Sequence, residues 1–424
     1  MWQQFGFSGN PYDTHPIKGD DRGVELLVGR QRELRSLQNR IANINNTVSL
    51  EGPNGVGKTS LVLVAGYLLE TESEAAGKRS LLLLPDPLQI GGDEKSDDLK
   101  RRLYGRICSY FIENEANLRR RLDLQFNLNP LRQWLENPIF NQANVSVAGF
   151  GAGGGQAPNA ARGFDQHGFF NIVDNLLGRA FSDGGGMICV LDNLEILNTS
   201  RAARMLLEQM RDDVLARHGL KWVVCGARGI VKSVASSARL QGRLQEPIEV
   251  APLAPESIRE MIEARVRLYA ERDGAIPPVG ARSFEHLFKI LNQNLRDSFK
   301  FSADFAAWLY ENEQTHFRSA DDVHALFEVW LAEQSEGYHA AIQLPPRAWK
   351  LFDDICNLGG SISPSDNEAF GFNSPQAMRG QIAPLENNDL IVSEIDETDH
   401  RRKTISVTAK GWFVRYHRTG YQQA

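Results

Sequence analysis

Gly52-Pro53-Asn54-Gly55-Val56-Gly57-Lys58-Thr59 is the stretch that decides how this chain folds. It follows the short apolar run Thr47 to Leu50 and leads into Ser60-Leu61-Val62-Leu63-Val64-Ala65, so strand, loop and helix come in order. Gly-x-x-x-x-Gly-Lys-Ser/Thr in that setting separates a phosphate cradle from a chance match. Gly52, Gly55 and Gly57 let backbone N–H groups converge on phosphate oxygens, with Pro53, Asn54 and Val56 between them and Ser60 in the first helical turn. Lys58 brings positive charge to the outer phosphates, and the Thr59 hydroxyl suits a magnesium ion. The cofactors expected are therefore ATP and Mg2+. The bland reading, a strand-to-helix turn that binds nothing, does not account for the context.

Outward from the cradle the text stays regular. Leu34, Leu37, Ile41 and Ile44 recur at helical spacing before it, and Ser80 to Leu84, Ile188 to Leu191 and Trp222 to Cys225 read as buried strands. Between the last two, Ala203, Leu206, Leu207, Met210 and Val214 mark a helix with one buried face, capped by Asn198, Thr199 or Ser200. Strands alternating with helices imply a mostly parallel sheet covered on both faces. Residues 1 to 22, with Phe5-Gly6-Phe7 and Asn10-Pro11-Tyr12, lack periodicity and read as an ordered arm without a helix. The span from about 86 to 165 is irregular and holds Arg119-Arg120-Arg121 and the glycine run Gly149 to Gly155. That run has no Lys-Ser/Thr after it and suits a hairpin tip better than a second phosphate loop.

From Ser257 to Leu331 the pattern is all-helical, with Ile258, Met261, Ile262, Val266 and Tyr269 lining a first helix that enters at Pro255 and stops near Gly274. From Leu344 come a helix through Ala348, Leu351, Phe352 and Ile355, a helix start at Ser374-Pro375, a strand from Leu390 to Ile395 and a return strand from Thr404 to Thr408. Helices followed by a two-stranded ribbon give a winged-helix order. The fold class expected is α/β: a P-loop parallel sheet core, an all-helical lid and a C-terminal winged helix. The expected domains are 1–252 (arm and core), 253–340 (lid) and 341–424 (winged helix), without internal repeat.

Met187-Ile188-Cys189-Val190-Leu191-Asp192 is an apolar strand ending in a carboxylate, placed to serve magnesium beside Thr59. The next position holds Asn193 where a glutamate is usual, and the nearest carboxylate is Glu195. Either Glu195 orients the attacking water from an altered loop, or the site holds ATP and cleaves it slowly. Arg228, after the strand Trp222 to Cys225, stands where ligands collect in parallel sheets and suits a phosphate sensor. Arg296 among the later helices could reach back to the outer phosphate or be a surface residue. Arg239 and Arg243, before the strand Pro247 to Val250, are candidates for a finger that completes a neighbour's site.

At 424 residues, with 42% hydrophobic and 24% charged residues, the chain is long enough for about two or three globular domains. It has no run of eighteen apolar residues and no signal-peptide pattern, which leads to the expectation of a cytoplasmic protein without a membrane partner. Cys108, Cys189, Cys225 and Cys356 have neither metal nor disulfide spacing and read as core thiols. A net charge of -6 argues against indiscriminate coating of nucleic acid but leaves room for a local basic patch. One is present: His400-Arg401-Arg402-Lys403 falls where a wing would touch a minor groove or phosphates, whereas the reading helix from Pro375 offers only Arg379. Double-stranded DNA and a protein partner both remain open there.

Leu27-Val28-Gly29-Arg30, the cradle, Leu191-Asp192, Gly226-Ala227-Arg228, the strand into Ala251-Pro252-Leu253, and Asn294-Leu295-Arg296 together resemble AAA+ ATPases. The resemblance is to the origin-recognition and initiator branch and its bacterial relatives, including transposon target-selector ATPases and STAND switches. It covers most of residues 24 to 312. By that resemblance Val28 and Gly29 would lie against adenine, Asp192 would serve magnesium, and Arg228 and Arg296 would take two sensor roles. Asn193 in place of the acid, and Arg228 where many relatives carry Asn, point to a switch in preference to a motor. Three functions follow as expectations: a slow ATPase whose nucleotide state controls assembly of a homo-oligomer and engagement of DNA, a DNA-binding regulator using ATP allosterically, and a signalling or antiphage-defence ATPase that recruits an effector protein.

Overall fold

The computed structural model describes residues 1–43, 45–77, 80–91, 95–122, 127–136, 139–143, 154–158, 168–194, 200–227, 229–363, 366–395 and 403–421. The arm is not free of helix, as its lack of periodicity implied. Trp2–Phe5 (α1) makes one turn, stopped by Gly6 in the left-handed region, and Asp21–Leu26 (α2) starts from an Asp20 cap that accepts from the Gly23 N–H. A single turn needs no repeat to form, only a buried anchor, here Phe5.

Gln31–Asn43 (α3) leads to Val48–Glu51 (β1), and the cradle opens Lys58–Ala75 (α4). Leu81–Leu83 (β2) and Leu88–Gln89 (β3) follow, then Ser96–Glu113 (α5), Glu115–Leu122 (α6) and Asn129–Glu136 (α7). Ile139–Ala143 (β4) and Gly154–Pro158 (β5) pair antiparallel, so the end of the glycine run is strand, while the tip between them lies outside the described residues. Phe169–Ala180 (α8), Gly186–Asp192 (β6), Ser200–Met210 (α9), Leu220–Gly226 (β7), Ile230–Ala235 (α10) and Ile248–Glu249 (β8) complete the core.

The sheet runs β2-β6-β7-β1-β8, with β3 also on β6, and every pairing is parallel. Side chains alternate across it. Ile188, Val190, Val223 and Cys225 face one side with Leu37, Leu61 and Leu69, while Met187, Cys189, Leu191, Trp222 and Val224 face the other with Leu103, Leu176 and Leu207. This is the α/β core expected from the sequence, a parallel sheet covered on both faces. All four cysteines are free and buried.

Pro255–Tyr269 (α11), Ala281–Ile290 (α12), Leu295–Glu311 (α13) and Ala320–Ala340 (α14) form a helical unit. α11 stops five residues before Gly274, because the arm takes its end: the Ser8 N–H donates to the Tyr269 carbonyl and Phe7 bridges to Ala270. Phe5, Phe7 and Tyr12 are part of this unit's core. Pro346–Asn357 (α15), Ser361–Ile362 (β9), Pro375–Asn387 (α16), Ile391–Ile395 (β10), Lys403–Val407 (β11) and Ala409–Arg418 (α17) follow. Their antiparallel sheet is three-stranded, β10-β11-β9, where a two-stranded ribbon was expected, and α17 is an added helix capped by Thr408. α17 returns to the helical unit and buries Phe413 there. Among the described residues no helix is long and apolar enough to cross a membrane.

Candidate nucleotide site

β1 delivers the cradle at the carboxyl edge of the sheet, where β6 and β7 also end, the edge at which parallel α/β sheets gather ligands. A cavity of about 300 Å³ opens there. Asn54 to Ser60 line it on one side, Asp13 to Ile17, Leu26 to Val28 and Arg30 on another, and Leu253, Met261, Arg265, Leu295, Arg296 and Phe299 of the helical unit on a third. The glycines of the cradle differ in purpose. A Cβ on Gly52 would stand 2.3 Å from the Val250 carbonyl oxygen, so Gly52 lets the chain after β8 pass. Gly55 has φ +76° and a Cβ there would meet Arg296 Cβ at 2.9 Å, so it admits α13 to the rim.

Lys58 is buried and its ammonium donates to the carbonyls of Gly52 (2.9 Å) and Pro53 (3.1 Å), which leaves one of its three donors. Thr59 Oγ1 donates to Asp192 Oδ2 at 2.7 Å, and Asp192 Oδ1 accepts from the Asn193 N–H at 3.0 Å. A hydroxyl and a carboxylate oxygen side by side are hard ligands of the kind a magnesium ion takes while keeping several waters. Asn193 sits at φ 63°, with its carboxamide paired to Gln89 Oε1, and Gln89 Nε2 lies 3.4 Å from Asp192 Oδ2. A pair of neutral amides therefore occupies the place beside Asp192.

Arg296 lines the cavity in the first turn of α13, two residues after the Asn294 cap that accepts from Asp297 N. Val28 lines it as well, whereas Gly29 packs on Ser257 of α11 and neither Gly52 nor Pro53 lines the cavity. Glu195 and Arg228 lie outside the described residues, as do Arg401 and Arg402; β11 begins at Lys403. Arg379 is exposed on α16, away from the cavity. Arg239 is exposed and 3.7 Å from Glu208, and Arg243, whose carbonyl accepts from Thr47 N, lies at the amino end of β1, opposite the cradle.

Four residues near the site were not given roles from the sequence. Arg30, 4% exposed, donates from Nη1 to the Ala251 carbonyl (2.7 Å) and from Nη2 to the Val56 carbonyl (2.9 Å), tying the cradle to the start of the helical unit. Burial lowers its pKa and Glu33 at 3.3 Å partly offsets that. Glu51, ending β1, accepts the Gly229 and Lys232 N–H groups at 2.6 and 2.9 Å and so fixes the turn after β7. Gln89 and Arg265 are the others. The signal available for Arg30 was its place at the end of Leu27-Val28-Gly29-Arg30; for the rest the partners are too far along the chain.

No family model matches the chain. Among curated proteins it is similar to the zinc import ATP-binding protein ZnuC of Psychrobacter cryohalolentis, 39% identical over 69 residues, which is 16% of this chain and 25% of that protein. The chain thus spans about a quarter of that relative's length. Among solved structures it is similar to the Aeropyrum pernix ORC1 protein in complex with DNA, at 14% identity over 97% of both chains with a TM-score of 0.44. The Aeropyrum pernix ORC2 protein in its ADP form is 12% identical over 96% of this chain and 95% of that one, TM-score 0.45. The replication initiator DnaA bound to AMPPCP and single-stranded DNA is 12% identical over 85% of this chain and 89% of that one, with a TM-score of 0.34.

Proposed function

We propose that the chain is an ATP-dependent molecular switch whose nucleotide state controls assembly and engagement of DNA or a partner. The observation that carries this reading is a single cavity walled by the phosphate cradle on one side and by Arg296 and Phe299 of the helical unit on the other. A nucleotide seated there touches both bodies, so its loss or hydrolysis changes what holds them together. Lys58 exchanges its carbonyl partners for the outer phosphate oxygens, and Arg296 meets the same charge from α13. Magnesium, held by Thr59 and Asp192, would neutralise phosphate charge. Asn193 and Gln89 can orient a water but cannot take its proton, which makes hydrolysis slow unless Glu195 supplies a base.

The C-terminal order helix, strand, helix and ribbon supports reading it as a winged helix, with the turn around Arg401, Arg402 and Lys403 on phosphates. Arg239 and Arg243 do not line the chain's own cavity, which supports keeping them as candidates for a finger that completes a neighbour's site in a homo-oligomer. A second reading, recruitment of an effector protein, is favoured by α16, where Arg379 is the one cation. The deciding experiment compares the wild type with Lys58→Ala for nucleotide affinity and for particle size with ATP, ADP or neither, with and without duplex DNA. The switch predicts a size that depends on ATP and on Lys58. One unchanging species with unaltered nucleotide binding overturns it.

A further inference from the structure

Arg265 on α11 is a second buried arginine at the cavity, and the phosphate chemistry does not use it. Its guanidinium packs 4.1 Å from the centre of the Phe299 ring, and Nη1 donates to the carbonyls of Pro11 (3.2 Å) and Asp13 (3.1 Å). Among the described residues Nε is buried without a partner and Nη2 has no hydrogen-bond acceptor. The Asp13 carboxylate supports the Arg265 charge through space, but its Oδ1 is taken by His15 at 2.6 Å. Burial lowers the Arg265 pKa to about 10, which leaves it charged at neutral pH. A buried charge with no acidic side chain in hydrogen-bond contact is costly, and such groups are retained where something else pairs with them.

Position along the helices says what that is. Arg296 stands against Gly55 at the phosphate end, and Phe299 follows it by three residues on the same face of α13. Arg265 lies over Phe299, one turn beyond Met261 on α11, so it belongs to the end of the cavity away from Lys58. Val28, Leu253, Met261 and Phe299 are among the apolar residues that line the cavity, and apolar walls of this kind take a planar ring. We propose that Arg265 is a specificity-determining residue that reads the base of the bound nucleotide, donating from Nη2 to an acceptor on the edge of a purine ring while Phe299 holds the guanidinium in place. The proposal rests on the cradle binding a nucleoside triphosphate and adds the group that distinguishes the nucleoside from its phosphates.

The test uses the full chain and two probes, ATP and inorganic triphosphate, the second carrying the phosphates without a base. Binding of each is measured for the wild type, Lys58→Ala, Arg265→Met, Arg265→Lys and Tyr12→Phe. Tyr12 docks the arm on Val279 through two 2.8 Å hydrogen bonds, so its variant loosens the arm without touching the base. Loss of a hydrogen bond to a charged donor weakens ATP binding by about tenfold or more in Arg265→Met, with triphosphate binding unchanged within about twofold. Arg265→Lys, which keeps the charge but not the fork, gives the same pattern and serves if the methionine variant does not fold. Tyr12→Phe leaves the ratio of the two affinities as in the wild type. Equal losses for both probes, an unchanged ratio in both Arg265 variants, or a Tyr12→Phe ratio that falls as far as theirs would each overturn the proposal. A wild type that binds neither probe in a Lys58-dependent way sinks the cradle reading itself, a different result.

Discussion

Asp192 carries most of the site on two oxygens: Oδ2 accepts from Thr59 and approaches Gln89, and Oδ1 accepts from its neighbour's N–H. If its charge serves magnesium, ATP affinity in the wild type is higher with magnesium than with a chelator, and Asp192→Asn removes that difference while retaining the metal-free affinity. A magnesium effect that survives the substitution places the metal elsewhere. Glu51 lends itself to a stability test. Glu51→Ala leaves the Gly229 and Lys232 N–H groups without their acceptor, a cost of about 1–3 kcal/mol in urea denaturation, with Glu51→Gln intermediate. At this scale the cradle was legible because its eight residues are contiguous and its chemistry is in the backbone. Arg30 was not, since its acceptor Ala251 is 221 positions away and no residue type announces a carbonyl. Arg265 was hidden for the same reason, and Glu51 reads as an ordinary strand end until α10 folds over it.

Elements were legible where burial imposes a period. β6 and β7 are buried on both faces and so read as continuous apolar runs, and the helix from Pro255 shows its stripe plainly. The ends were set by tertiary partners instead, as at Tyr269, where the arm supplies the hydrogen bonds that terminate α11. α17 went unread because its apolar stripe, Phe413, Val414 and Tyr416, is short and only Thr408 separates the helix from the strand before it. α16 shows the opposite case, a helix that persists over both Gly380 and Pro384 because Met378, Ile382 and Leu385 are buried in the C-terminal core. Gly380 is exposed, has ordinary helical backbone, and a Cβ there would meet nothing within 4 Å. Gly380→Ala should therefore stabilise the protein by about 0.5–1 kcal/mol through helix propensity alone, read as a raised midpoint in thermal melting. A lower midpoint would mean that α16 bends at this residue.

Over the whole molecule the arm, the helical unit and α17 share one core, so segments from both halves of the chain meet in the body that walls the cavity opposite the cradle. Nothing in the sequence linked Phe7 to Phe413, because contacts spanning the chain leave no local pattern. The seam beside this core is aromatic and cationic: the His339 ring in the last turn of α14 lies 4.7 Å from His417 on α17 and 5.6 Å from Trp349 on α15, and Arg418 covers that indole at 4.1 Å. Burial first, then the His417 and Arg418 charges, lower the His339 pKa below its ordinary 6.5. The unfolded chain then binds a proton that the folded chain refuses, so the contribution is fully present above about pH 6.5 and is lost as pH falls through the folded value. Melting temperature should fall between pH 8 and pH 5.5, and His339→Phe, which keeps the stack without the titration, should flatten that slope. If the variant and the wild type lose the same amount over that range, the seam is not where the protons act, and the acid sensitivity belongs to another part of the molecule.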